Sequence, residues 1–267
     1  MSAALVRVVS PEGPVAQVWL NRPDKKNALT LEMLDDLVAA GRALAKQPGL
    51  RAIVLAGEGG DFCSGLDTGV LESLAGDLDR VKGDMLTPAD PSGANRFQLP
   101  ATIWQTLPVP VIAALEGVCF GGGAQIALGA DFRIAHPDAL ISIMEGKWGL
   151  IPDMGISQSL PRLLSADRAM ELILTARVLR STEAQQLGLI TRLSDAPVEE
   201  ALRFAEALAG RSPEAIRAGK RLVETIYSGN AITELRLEAE LQAALIGTPN
   251  QIEAVSAAAE GRMPRYC

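Results

Sequence analysis

The sequence predicts an α/β protein whose C-terminal part is helical. Two observations predict it. Short apolar runs alternate with helical patterns up to about residue 165, and beyond that point apolar residues recur mainly at spacings of three and four. The 267 residues are 48% hydrophobic but only 4% aromatic, which is enough for a large core built mainly from Ala, Leu, Ile and Val. We divide the chain into a core over residues 1–195 and a helical region over residues 196–267.

The N-terminal elements are two short strands, a helix and a third strand. Val6–Val9 and Ala16–Leu20 are rich in β-formers, and a Pro- and Gly-containing turn separates them. Thr30 is a good N-cap for a helix that ends before Pro48. The apolar run Arg51–Ala56 predicts a buried strand.

The later elements follow from the same patterns. A glycine-rich loop spans residues 57–69, and residues 70–96 give no clear pattern, so that we expect a mobile segment there. A helix ends near Leu107, and Phe132–Ala135 and Ala139–Ile143 predict short strands. The helices predicted in the C-terminal half are Asp167–Thr175, Ser181–Leu187, Pro197–Leu208, Pro213–Tyr227 and Ile232–Leu245, with one more helix start at Thr248-Pro249-Asn250.

The segment Pro110–Asp131 is the most informative part of the chain. It predicts a buried strand, a turn with the consecutive glycines Gly121, Gly122 and Gly123, and a short apolar helix. Glycine lowers helix stability, so three of them suggest that another group approaches the backbone closely. The first N–H groups of a helix have no internal partner and can stabilise an anion, including a transient oxyanion. Tight helix–strand packing is the alternative explanation.

Composition excludes several classes of protein. The net charge of −7 argues against nucleic acid as a partner. Three cysteines without metal-like spacing indicate reduced thiols, and the N-terminus lacks a signal-peptide pattern, so we expect a cytoplasmic protein without a membrane span. The only histidine, His136, lies in a predicted turn. A nucleophilic pair with Cys63 or Cys119 is the less favoured interpretation. No P-loop or dinucleotide motif is present, and we predict neither a cofactor nor a metal site.

Four segments, in order along the chain, resemble the crotonase (enoyl-CoA hydratase/isomerase) superfamily. The third is the most characteristic of them. They are Leu20-Asn21-Arg22-Pro23 with Asn27-Ala28-Leu29, Asp61–Asp67, Pro108–Asp131, and Trp148–Pro152 with Leu160-Pro161-Arg162. The resemblance implies a spiral of ββα units with a C-terminal helical region, assembly into a homotrimer or a dimer of trimers, and acyl-CoA thioester substrates of the kind used in fatty acid metabolism.

The resemblance also implies an oxyanion hole. The thioester carbonyl would lie between the main-chain N–H groups of Leu66 and Gly122, which would stabilise an enolate. The substrate-binding residues that it implies are Lys26, Ser64, Gly65, Asp67, Gly121, Gln125, Trp148 and Arg262. Among the basic residues, Arg22, Lys25, Lys26, Arg262 and Arg265 could meet the phosphates of coenzyme A, with Arg262 reaching a neighbouring subunit; ordinary solvated charge is the alternative.

The acidic positions favour an isomerase. Hydratases of this family carry two glutamates; Glu145 matches one, but Gln125 stands where the other is expected, and an amide cannot transfer a proton here. Asp153 matches an aspartate of dienoyl-CoA isomerases, which supports a pair of carboxylates that shifts a double bond. Those isomerases also carry an aspartate where this chain has Gln125, so two of their three acidic positions agree. Three alternatives stay open for these two acids: Asp153 as a helix cap, Glu145 as a surface ion-pair partner, or Glu145 acting alone. Hydration of a 2-enoyl-CoA, and acyl-CoA binding without chemistry, are the alternative functions.

Overall fold

The computed structural model describes residues 4–9, 13–70, 78–226, 240, 244 and 248–267. Within them a six-stranded sheet forms the centre. In chain order its strands are β1 (Val6–Val9), β2 (Val15–Leu20), β3 (Ala52–Gly57), β4 (Val111–Leu115), β6 (Phe132–Ala135) and β9 (Arg192–Leu193). They lie side by side in that order, and every neighbouring pair is parallel except β1 with β2.

A second sheet of three strands lies beside the first. It consists of β5 (Val118–Phe120), β7 (Leu140–Ser142) and β8 (Leu179–Arg180), with β7 in the middle, parallel to β5 and antiparallel to β8. Two isolated bridges involve the glycine-rich loop: Cys63 pairs with Cys119 of β5, and Leu66 pairs with Leu29. The glycine-rich loop is thereby attached to the end of the second sheet.

In the described part of the chain, helices lie between these strands and, towards the C-terminus, after the last of them. They are α1 (Leu31–Leu44), α2 (Leu78–Leu86), α3 (Leu99–Thr106), α4 (Gly122–Leu128), α5 (Ile156–Ser159), α6 (Ala166–Thr175), α7 (Ser181–Leu187), α8 (Pro197–Ala209), α9 (Pro213–Ile226) and α10 (Pro249–Glu260). Short 3-10 helices cover Pro23–Lys25, Glu58–Gly60, Glu145–Trp148 and Leu160–Arg162. Thr30 caps α1 as predicted, since its hydroxyl accepts the N–H of Met33 at 3.1 Å.

The two faces of the large sheet are buried by different helices. On one face, the small residues Ala201, Ala205 and Ala209 of α8 pack against alternate residues of the central strands, such as Val54 and Ile112. On the other face, α1 and α3 pack over the intervening residues of the same strands. Burial on both faces explains why β3 and β4 are apolar throughout, as expected for parallel strands.

The predicted α/β class with a helical C-terminal part is confirmed, and most elements lie within one or two residues of their predicted bounds. The sequence patterns missed β5, β8, β9 and α2. Tyr227 and most of the predicted helix Ile232–Leu245 lie outside the described residues. The boundary after residue 195 stays a prediction; the helix that follows it, α8, packs directly on the large sheet.

The position of α4 depends on a close contact with α3. A Cβ built on Gly129, at the C-terminal end of α4, would lie 2.1 Å from the carbonyl oxygen of Ala101. The backbone of Gly129 is right-handed helical, so the contact and not the backbone conformation requires glycine here. The atoms nearest to this Cβ are all main-chain atoms, so no flexible side chain can move aside.

We predict that Gly129→Ala lowers the free energy of unfolding by about 1–3 kcal/mol, because α3 and α4 must separate. Gly219→Ala in α9 is the matched control: a Cβ there meets nothing within 4 Å, and alanine favours the helix by about 0.5–1 kcal/mol. Urea unfolding measures both variants. Equal stability of the two would contradict the proposed contact.

Candidate active site

Three segments converge on Gly121, which lies between β5 and α4. A Cβ built on Gly121 would lie 3.5 Å from Oε1 of Glu145 and 3.9 Å from Cα of Gly65. A Cβ on Gly65 would in turn lie 3.1 Å from the carbonyl oxygen of Phe120. Both glycines have positive φ, 53° and 96°. The glycine-rich loop, the start of α4 and the segment that carries Glu145 are therefore within a few ångströms of one another.

The Leu66 N–H is directed away from the segment it pairs with. Leu29 donates to the carbonyl of Gly65 at 2.8 Å and accepts from the N–H of Asp67 at 3.0 Å. In this parallel bridge the residue between the two bonded ones has its own N–H on the opposite side. The N–H of Leu66 donates to no other residue in the described part of the chain. It is available to a ligand.

The Gly122 N–H is the second free donor. Gly122 is the first residue of α4, whose opening N–H groups have no partner within the helix. The neighbouring N–H of Gly121 donates to the carbonyl of Ser142 at 3.0 Å, whereas that of Gly122 has no acceptor among the described residues. The structure thus provides the two unbonded amides at the positions that the resemblance implied.

Close packing is a second reason for the glycines. A Cβ on Gly122 would lie 2.8 Å from Sδ of Met154, and one on Gly123 would lie 2.5 Å from Cβ of Cys63. The packing explanation therefore holds at Gly123, whereas at Gly122 the neighbour is the flexible end of a methionine side chain, which can move aside. Close packing at Gly123 accompanies the free N–H of Gly122 and does not replace it.

Glu145 opens the short 3-10 helix that follows β7. Its Oε2 atom is buried and has no hydrogen-bond partner among the described residues. Burial raises the pKa of the Glu145 carboxyl, and the charge of Asp153 raises it further; the Gln125 amide and the nearby N–H groups of Met144 and Glu145 act in the opposite direction. A buried carboxylate with a free oxygen and a raised pKa is suited to proton transfer. It makes no ion pair in the described part of the chain, so the surface ion-pair interpretation of Glu145 is not supported.

Gln125 is 1% exposed and bonds protein groups at both ends of its amide. Its Oε1 accepts the N–H of Met154 at 2.8 Å, and its Nε2 donates to Oε1 of Glu145 at 2.6 Å. The predicted contact of Gln125 with substrate stays a prediction. What the structure adds is a direct link from Gln125 to the carboxylate of Glu145.

Asp153 lies at the surface, just before α5. Surrounding protein raises the pKa of its carboxyl by desolvation. The N-cap of α5 is Gly155, and no side chain caps this helix, so the capping alternative for Asp153 is not supported. Because the charge of Asp153 raises the pKa of Glu145, the two predicted acids interact.

Several predicted binding residues hold the glycine-rich loop. Asp67 forms an ion pair with Arg22 at 2.5 Å and accepts the N–H of Gly69 at 2.8 Å, and these bonds lower the pKa of its carboxyl. Ser64 donates its N–H to the carbonyl of Lys26 at 2.9 Å. Lys26 lies 3.5 Å from Asp61, with its side chain 61% exposed. Binding of coenzyme A phosphates by Arg22 or Lys26 stays a prediction.

Trp148 and Arg262 are both exposed. Trp148 is 56% exposed, three residues beyond Glu145, with the ammonium of Lys147 5.9 Å from the centre of its ring. Arg262 pairs within its own chain with Glu253 and Glu260, each at 2.5 Å. The structure therefore does not bring Arg262 to the other site residues of the same chain through any described contact.

The less favoured nucleophile interpretation finds no support. Cys63 and Cys119 are fully buried, and burial raises the pKa of the Cys63 thiol to about 12. His136 accepts the N–H of Asp138 at 3.2 Å through Nδ1, in the predicted turn. Among the described residues, no three His, Cys, Asp or Glu side chains are grouped so as to hold a metal ion.

Asn27 and Met154 hold this geometry through bonds that involve main-chain groups, and the sequence patterns did not single them out. Asn27 is fully buried; its amide donates to the carbonyls of Glu58 and Asp61, and its Oδ1 accepts the N–H of Arg22. Asn27 appeared only as part of the resemblance. The N–H of Met154 carries no sequence signal at all, because any residue but proline supplies one.

Comparisons with known proteins show the family to which the chain belongs. The family model for enoyl-CoA hydratase/isomerase matches residues 11–267, so the chain belongs to that family. Two solved enoyl-CoA hydratases are similar to it, each covering 98% of this chain and 99% of its own. The enzyme of Bacillus anthracis has a TM-score of 0.88 at 30% identity, and that of Polaromonas sp. JS666 has 0.88 at 29%. The predicted crotonase-like fold is confirmed.

Curated relatives of similar identity have different activities. The mitochondrial Delta(3,5)-Delta(2,4)-dienoyl-CoA isomerase of Mus musculus is 31% identical over a 266-residue alignment that covers 96% of this chain and 80% of the relative. The mitochondrial methylglutaconyl-CoA hydratase of the same species is 32% identical over a 259-residue alignment that covers 94% of this chain and 79% of the relative. The family is thereby shown, and the choice between isomerase and hydratase is left to the residues of the site. None of the helices in the described ranges is long and apolar enough to cross a membrane.

Proposed function

We propose that this protein is an enzyme that acts on acyl-CoA thioesters and shifts a double bond of an enoyl- or dienoyl-CoA through an enolate. One observation carries the proposal. The buried carboxylate of Glu145, with a free Oε2, lies beside Gly121, where the segments that hold the unbonded N–H groups of Leu66 and Gly122 also meet. Family membership supports the acyl-CoA substrate.

The two amides act on the thioester carbonyl. When a proton leaves a carbon conjugated with that carbonyl, the electron pair of the C–H bond moves onto the carbonyl oxygen. Two N–H groups already directed at that oxygen stabilise the negative charge without reorganisation. Loss of one such donor typically lowers the rate by about 100- to 1,000-fold. No cofactor other than the coenzyme A of the substrate is needed.

Two carboxylates move the proton. Ionised Glu145 takes the proton on Oε2, and the enolate then collapses as a carboxylic acid protonates a distant carbon of the conjugated system. Asp153 is the proposed acid, because its raised pKa allows it to carry a proton nearer neutral pH than an ordinary aspartate. One proton is removed from the substrate and another is added, so the net reaction is an isomerisation; the cycle closes when Glu145 releases its proton to solvent and Asp153 takes one up.

Gln125 is the reason to favour isomerisation over hydration. Its Nε2 donates to Glu145, so the second group at this place is an amide that cannot act as acid or base. The curated relatives include both kinds at about the same identity, so the overall similarity does not decide between them, and the choice rests on the amide of Gln125.

The family resemblance also supports assembly as a homotrimer or a dimer of trimers. The C-terminal residues Ile252, Val255 and Met263 are 54%, 59% and 81% exposed, which is an apolar surface suited to contact with another copy. In such an assembly Arg262 is the residue proposed to reach the coenzyme A of a neighbouring subunit, which requires it to leave its pairs with Glu253 and Glu260.

We predict that the wild-type protein, incubated in heavy water with a panel of enoyl-, dienoyl- and hydroxyacyl-CoA thioesters, introduces deuterium into at least one of them. Mass spectrometry measures the uptake. Glu145→Gln should lower it by about 100- to 10,000-fold while acyl-CoA binding survives, because the proton acceptor is lost and the amides remain.

Undiminished exchange in Glu145→Gln would reject the role of this residue. Tight binding without exchange by the wild-type protein would favour a non-catalytic acyl-CoA-binding protein. Efficient conversion of crotonyl-CoA to 3-hydroxyacyl-CoA would favour the hydratase, and the argument from Gln125 would then be wrong.

Asp153→Asn separates the two isomerase mechanisms. If Asp153 delivers the second proton, the isomerisation rate falls by about 100-fold or more, while exchange at the first carbon continues through Glu145. Asp138→Asn is the matched control, since Asp138 is 74% exposed and pairs only with Arg180 among the described residues. An unchanged isomerisation rate in Asp153→Asn would leave Glu145 acting alone.

A further inference from the structure

We infer that Gln125 is a positioning residue that dictates which oxygen of Glu145 carries the proton and keeps this carboxylate ionised. The inference rests on the proposed function, and it assigns a role in that site to a residue that cannot itself transfer a proton.

The orientation of the Gln125 amide is fixed by Met154. A main-chain N–H only donates, so the atom 2.8 Å from it must be the amide oxygen of Gln125. The amide nitrogen is therefore the atom that faces Glu145, 2.6 Å from Oε1. Gln125 is 1% exposed, so solvent does not offer the amide another arrangement.

This orientation makes the two oxygens of Glu145 different. Oε1 accepts a hydrogen bond from an N–H donor, which engages one of its lone pairs and makes it the weaker base of the two oxygens. Oε2 is buried and has no partner in the described part of the chain. A proton taken from a substrate therefore goes to Oε2, and the bond at Oε1 holds the carboxylate in place during the transfer.

The same bond opposes the effect of burial. Burial favours the neutral carboxylic acid, which cannot take a proton from the substrate. A hydrogen-bond donor at Oε1 favours the ionised form. Gln125 also connects two segments of the site, because Met154 directly follows Asp153. One amide thus fixes the carboxylate of Glu145 relative to the segment that carries the second acid.

The test uses two substitutions that remove the donor. Gln125→Glu keeps the shape and an oxygen for the N–H of Met154, and replaces only the NH2 group that faces Glu145. Gln125→Met is similar in length and has no polar group. Gln158→Met is the matched control, because Gln158 is an exposed glutamine of α5 whose amide bonds only Ser157 among the described residues.

The first readout is the protonation of Glu145. Infrared spectroscopy measures the C=O band of its carboxylic acid as a function of pH. The band is assigned to Glu145 because it is absent in Glu145→Gln. The midpoint should move to higher pH in Gln125→Met and Gln125→Glu and stay in place in Gln158→Met. The sign follows from loss of a bond that favours the charged form. This readout needs no turnover, so it tests Gln125 even if the wild-type protein exchanges no deuterium.

The second readout is the split between kcat and KM for whichever substrate the panel identifies. Gln125→Met should lower kcat by about 10- to 100-fold with little change in KM, because the carboxylate is misplaced and the thioester site is intact. The acid limb of the pH profile should move to higher pH with the infrared midpoint. If neither variant moves the midpoint, Gln125 only fills space and the inference is wrong.

Discussion

The site depends on how closely three stretches of main chain approach one another around Gly121–Gly123. A side chain on Gly123 would meet Cβ and the carbonyl oxygen of Cys63, one on Gly122 would have to displace the side chain of Met154, and Gly121 adopts a positive φ beside the carboxylate of Glu145. Because of this approach, two main-chain N–H groups from distant parts of the sequence and one carboxylate share a small volume. The surrounding strands and helices are arranged so that the approach is possible: β5 bridges to the loop at Cys63, and α4 is pressed against α3 at Gly129.

Two physical effects act on the acid of this site, in opposite directions. Burial destabilises the charge on Glu145 and raises its pKa, which makes the carboxylate a stronger base. The amide of Gln125 stabilises the charge and fixes one oxygen. Because Gln125 bonds Oε1, only Oε2 of this carboxylate is without a partner among the described residues. In the proposed mechanism the main chain activates the acyl group, so the residues proposed to distinguish one family activity from another are a few side chains, above all Gln125 and Asp153.

Much of the fold was predictable from the sequence, because the strands of the large sheet are buried on both faces and the helices have clear apolar stripes. Phe132–Ala135 and Ser181–Leu187 have their predicted bounds. β5 was missed because its three residues lie between two glycines and were assigned to a turn. The two-residue strands β8 and β9 are too short for any periodicity. The acids of the site were predicted from the family motif, but the bonds of Gln125 were not, since its partner Met154 contributes only its main chain. The ion pair of Arg22 with Asp67 joins residues 45 positions apart, and nothing in the local pattern connects them.

The most direct test of the account measures the thioester carbonyl itself. A saturated acyl-CoA labelled with carbon-13 at the carbonyl cannot isomerise, so its C=O stretching frequency can be followed by isotope-edited infrared spectroscopy in the bound state. Two N–H groups that polarise the carbonyl must lower that frequency relative to the same thioester in water, and they must do so in Glu145→Gln as well, because the donors belong to Leu66 and Gly122. A bound carbonyl that vibrates at the frequency found in water, or at a higher one, would contradict the account.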